Sequence, residues 1–100
     1  MMARLSQELQ EMRKLDVDDL LTIVMVCEGR SFSEIAGVLC VTAPAIHHRA
    51  NKIRRIWGEE VVFPSSKFKT ELSPFLREKG KRARAVLDEL TSWFKDKVAA

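Results

Sequence analysis

Residues 31–58 read SFSEIAGVLCVTAPAIHHRANKIRRIWG, and this stretch decides the fold. Ser31 followed by Glu34 is a capping box: the hydroxyl can accept the Glu34 backbone N–H while the carboxylate reaches back to the Ser31 N–H. It predicts a short helix whose Ile35, Val38 and Leu39 form the buried stripe, with Ala36 small enough for close helix approach. Cys40 and Val41 make the connection. Thr42 then serves as an N-cap, and Pro44 falls in the first turn of the next helix, where a missing N–H costs nothing. That helix carries Ile46, Ala50, Ile53 and Trp57 at spacings of four, three and four, an inner face. Its opposite face collects His47, His48, Asn51, Lys52 and Arg55, all polar and rich in hydrogen-bond donors. Gly58 ends it.

Upstream, Asp16 reads as an N-cap with Asp19 in the reciprocal capping-box position, opening a helix that places Leu20, Ile23, Val24 and Cys27 on one face and stops at Gly29. Before it, residues 3–15 place Leu5, Leu9 and Met12 at helical spacing, a short amphipathic helix packed on something else. Downstream, Val61-Val62-Phe63, the turn Pro64-Ser65-Ser66 and Lys67-Phe68-Lys69-Thr70 predict a two-stranded wing with a basic edge. Ser73-Pro74 opens a last helix reaching about Lys97, on which Ala83, Leu87, Leu90 and Phe94 are spaced four, three and four, with Val86 and Trp93 beside them. Gly80 weakens its early turns by about 1 kcal/mol relative to Ala.

The net charge of +3 conceals an asymmetry. Residues 1–40 hold four basic side chains against seven acidic ones, and residues 41–100 hold thirteen against seven. Between 41 and 58 stand Arg49, Lys52, Arg54 and Arg55 and no acid. A basic surface confined to one part of a small domain attracts polyanions, of which nucleic acid is the commonest. No apolar run approaches the ~18 residues of a membrane span, so a membrane partner is excluded and a cytoplasmic location expected, of a bacterial, phage or plasmid type associated with the nucleoid. Cys27 and Cys40 form no CxxC pair and read as small apolar core residues, with no metal expected. Neither a glycine-rich phosphate loop nor a triad signature is present, so no catalytic residue, no enzyme and no cofactor are expected.

The expected fold class is therefore mostly α with a small β-hairpin: a winged helix-turn-helix with an extra N-terminal helix and a long C-terminal dimerisation helix. One domain spans residues 1–100, with the N-terminal helix at 1–15, the winged unit at 16–72 and the dimerisation helix at 73–98. A recognition helix fits the B-DNA major groove, and a lysine-edged wing can lie along phosphates beside it.

The chain also resembles the N-terminal domain of LysR-type transcriptional regulators from Leu21 to Phe63, and more weakly on to Leu87. The shared positions are Ser31-Phe32-Ser33, Ala36, Leu39, Val41-Thr42-Ala43-Pro44-Ala45, Ile53 and Trp57-Gly58, followed by Leu72-Ser73 and Ala83, Val86 and Leu87. The resemblance implies that Thr42, Ala43, Pro44, His47 and His48 begin the recognition helix and that Ser65, Ser66, Lys67 and Lys69 belong to the wing. The family usually has glutamine where Ala43 stands and serine where His47 stands, and an alanine-glycine pair where Phe75 and Leu76 stand. It also implies a homodimer, here through Ala83, Val86, Leu87, Leu90, Trp93 and Phe94. With no effector-binding region after the domain, the reading is a stand-alone, sequence-specific regulator of double-stranded DNA. Two alternatives are a DNA-packaging or partition adaptor and a winged-helix module for protein–protein contact, with the first helix as a candidate docking surface for a protein.

Overall fold

A computed structural model describes residues 2–58 and 72–96. Five helices follow in order: α1 (Met2–Met12), α2 (Val17–Cys27), α3 (Phe32–Leu39), α4 (Ala43–Trp57) and α5 (Pro74–Lys95). Local chemistry sets most of their ends. Asp16 and Asp19 form the reciprocal box at the start of α2, Ser31 and Glu34 the one at α3, and the hydroxyls of Thr42 and Ser73 accept the backbone N–H groups of Ala45 and Leu76. Gly29 and Gly58 carry the positive φ angles that stop α2 and α4. Cys40 caps α3 at φ 58°, a left-handed conformation without glycine's freedom.

The expectation of a β-hairpin is corrected. All regular structure among the described residues is helical and none of it is strand, so these residues form an all-α unit in which the small β-hairpin and winged helix are not seen. The physical reason lies in the core, which helices close by themselves: Ile23, Met25 and Val26 of α2, Ile35 and Ala36 of α3, Ile46, Ala50 and Ile53 of α4, and Leu76 of α5 pack into one cluster. The hairpin expected over 61–70, with Ser65, Ser66, Lys67 and Lys69, lies outside the described residues.

Helix α5 lies mainly along α2. Gly80 sits at their crossing, where an added Cβ would overlap the Cys27 sulfur. The glycine read in the sequence as a weak point of the helix is thus where the Cys27 side chain of α2 packs directly against α5, which runs unbroken through it. The Cys27 thiol donates to the Leu76 carbonyl at 3.6 Å, and burial pushes its pKa up. Cys40, expected in the core, is exposed. Phe75 and Leu76, the departures from the LysR-like pattern, anchor the start of α5. Leu76 is fully buried, and Phe75 meets Trp57 edge to face at 5.9 Å under the Lys79 ammonium.

Candidate nucleic-acid interface

The pair α3–α4 is joined by the sharp turn at Cys40, Val41 and Thr42. On α4 the inner stripe Ile46, Ala50 and Ile53 is buried, and this fixes which side chains face outward. His47, His48, Asn51, Arg54 and Arg55 are exposed, as are Thr42 and Pro44 at the helix start. Ala43 is half-buried against the core. The His47 imidazole stands edge-on to Phe32 of α3, with ring centroids 4.6 Å apart, so one outward side chain is braced by the preceding helix.

Two of the four cations counted between 41 and 58 are turned toward α2. Arg49 Nη1 donates to Asp16 Oδ1 at 2.8 Å and to Asp19 Oδ1 at 3.0 Å, and its other nitrogen lies 3.6 Å from Asp18. Lys52, expected on the outer face, pairs with Asp19 Oδ2. Asp19 itself has no exposed surface. Its carboxylate also accepts the Asp16 N–H at 2.9 Å, so both its oxygens are engaged. Among the described residues, no buried side-chain polar atom lacks a partner. Burial works to raise the Asp16 carboxyl, but the Asp19 N–H and the Arg49 guanidinium outweigh it and hold it below the usual carboxylate range.

Arg54 was not among the residues expected at the interface. It stands seven residues after His47 and three after Asn51, on the same stripe, and its Nη1 donates to Asn51 Oδ1 at 3.3 Å. The spacing of 47, 51 and 54 is the signal that would have found it. The outward face of α4 is thus an amide and two guanidinium groups beside two imidazoles, able to donate to phosphate oxygens and to purine acceptors.

The residues expected at a dimer interface divide along α5. Ala83 is buried within the chain, Leu87 and Leu90 are half-buried, and Val86, Trp93 and Phe94 are 53%, 68% and 71% exposed. Length explains the division: the eleven residues of α2 rise about 16 Å and the twenty-two of α5 about 33 Å, so α2 can cover only half of it. No helix among the described residues is long and apolar enough to cross a membrane. In comparison with known proteins, no family model, no curated protein and no solved structure matches the chain.

Proposed function

We propose that the protein is a sequence-specific double-stranded DNA-binding regulator of transcription, acting as a homodimer in the cytoplasm. Helix α4 enters the major groove with the stripe His47, Asn51 and Arg54, while Arg55 and the α4 start at Thr42 lie toward phosphates. The observation that carries this reading is the separation of faces on α4. Its apolar stripe is closed in the core, and its outward stripe keeps an amide and two guanidinium groups exposed directly after a capped turn. Support also comes from the LysR-like positions Thr42 to Pro44, which stand at the start of this helix. The two cations held by α2 are assigned to shaping the unit and not to gripping DNA.

The test is binding to a duplex selected from a random pool and to a scrambled one, across a salt series. Asn51→Ala should cost about 1–3 kcal/mol on the selected site and relax sequence preference. Arg55→Ala should weaken both duplexes about equally and reduce the salt slope by roughly 1. No affinity for any duplex at low salt overturns the proposal, because nonspecific binding is strongest there.

A further inference from the structure

Beside the α2–α5 crossing runs an open cleft of about 590 Å³, within the size range of small-molecule sites. Val24, Cys27, Leu72 and Gly80 form its floor. That floor is apolar and uncharged: the Cys27 thiol donates to the Leu76 carbonyl and burial pushes its pKa up, so no thiolate stands there to repel an anion. Arg77 and Lys81 stand along one side, a turn apart on the same face of α5. The acids around them are taken by other cations. Glu28 lies 3.7 Å from Arg84 and 3.8 Å from Arg30, Asp88 lies 3.7 Å from Arg84, and Glu78 lies 3.7 Å from Arg82. Among the described residues, neither Arg77 nor Lys81 forms an ion pair. Two like charges four apart on a helix repel each other unless an anion stands between them.

We propose that this cleft binds a small molecule carrying one carboxylate on an apolar body, the carboxylate held between Arg77 and Lys81 and the body laid over Val24, Cys27 and Leu72. The planar fork of an arginine matches a carboxylate, and the lysine ammonium adds a point charge beside it. With Arg84 already engaged by Glu28 and Asp88, two cations remain, which suits a single carboxylate better than a polyanion. An uncharged apolar molecule would leave both cations unmatched, and a bare anion would leave the apolar floor in water. The occupant touches α2 through Val24 and Cys27 and α5 through Arg77 and Lys81. It therefore ties the two helices together and stabilises the fold by mass action. The site uses no residue of α4, so it stands or falls apart from DNA binding.

Octanoate is the probe, with octanol and acetate standing for its two halves. Full-length ¹⁵N-labelled protein is titrated with each, and amide shifts and the melting temperature are read. Octanoate should saturably shift the amides of Val24, Cys27, Gly80 and Lys81 and raise the melting temperature. Octanol and acetate should each bind roughly tenfold or more weakly. Arg77→Gln with Lys81→Gln, at exposed positions, should bring octanoate down to the level of octanol while the circular dichroism keeps its folded signature. Arg77→Glu with Lys81→Glu should make the cleft prefer octylamine to octanoate. No saturable shift with octanoate, or shifts centred on Trp93 and Phe94, overturns the proposal. So does an equal response to octanol or to acetate, or octanoate binding that the glutamine pair leaves unaltered.

Discussion

The Asp19 carboxylate, with no exposed surface, accepts a hydrogen bond from the Arg49 guanidinium at 3.0 Å, and the two residues stand 30 positions apart in the chain. One carboxylate therefore closes the capping box of α2 and fixes α4 against it. The same contact draws Arg49 and Lys52 off the outward face, which leaves Arg54 and Arg55 as the cations presented there. Removing Asp19 would leave two cations without their buried partner. Asp19→Ala removes one side of the capping box and the buried partner of both cations, while Arg49 keeps Asp16 and Asp18, so it should destabilise the fold by about 1–3 kcal/mol, measured by urea denaturation at neutral pH. A change below about 1 kcal/mol would mean the network contributes little.

Gly80→Ala sets two effects against each other. Helix propensity favours alanine by about 1 kcal/mol. The new methyl, however, would overlap the Cys27 sulfur at the helix crossing, and overpacking of this kind costs about 1–3 kcal/mol. Net destabilisation is expected, and it should shrink when the same change is made in a Cys27→Ala background. A double-mutant cycle on denaturation midpoints reads the coupling directly.

Cys40 holds φ 58° as the C-cap of α3 while its side chain is exposed. A non-glycine residue loses about 1–2 kcal/mol in this region, and glycine returns part of that as unfolded-state entropy. Cys40→Gly should therefore be neutral or stabilising by up to about 1 kcal/mol, checked by thermal melting.

The acid limb of stability should carry the signature of two caps. Asp16 is held below its ordinary value of 3.8 by the contacts that outweigh its burial. The backbone N–H and hydroxyl of Ser31 hold Glu34 below its ordinary value of 4.5. A depressed carboxyl contributes stability that is complete above its unfolded pKa and lost as pH falls through the folded one. Stability should thus begin to fall below a pH of about 4.5, and Asp16→Asn with Glu34→Gln should flatten the decline. A steeper decline in the double variant would contradict these directions.

Trp93 and Phe94 meet edge to face at 5.0 Å on the exposed end of α5. As both are largely exposed and stand outside the core cluster, Trp93→Ser with Phe94→Ser should leave the monomer folded. If this end joins two copies, the variant should sediment as a monomer and forfeit the effective-concentration gain of ~10²–10⁴ in DNA binding. An unchanged dimer would place the interface elsewhere.

What the sequence determined by itself is the set of helix starts and most of the faces that the core claims; Val38, read as buried on α3 with Ile35 and Leu39, is instead 54% exposed. Capping is chemistry between residues three apart, and Asp16 with Asp19, Ser31 with Glu34, and Thr42 with Ala45 could be read without a fold. The inner stripe of α4 followed from period alone, and so did the outward place of His47, His48 and Asn51. The β-prone run at Val61 to Phe63 had no such local lock and lies outside the described residues, whose regular structure is all helix. Only the tertiary structure decided the partners. Lys52 looked like an outward cation until α2 brought Asp19 beneath it, and Gly80 looked like a flaw until α5 crossed Cys27. The C-terminal stripe read as one surface, yet α2 is half as long as α5, so Ala83 is buried and Phe94 is not. Charge pairing and close approach depend on where distant helices cross, and that is set when the common core closes.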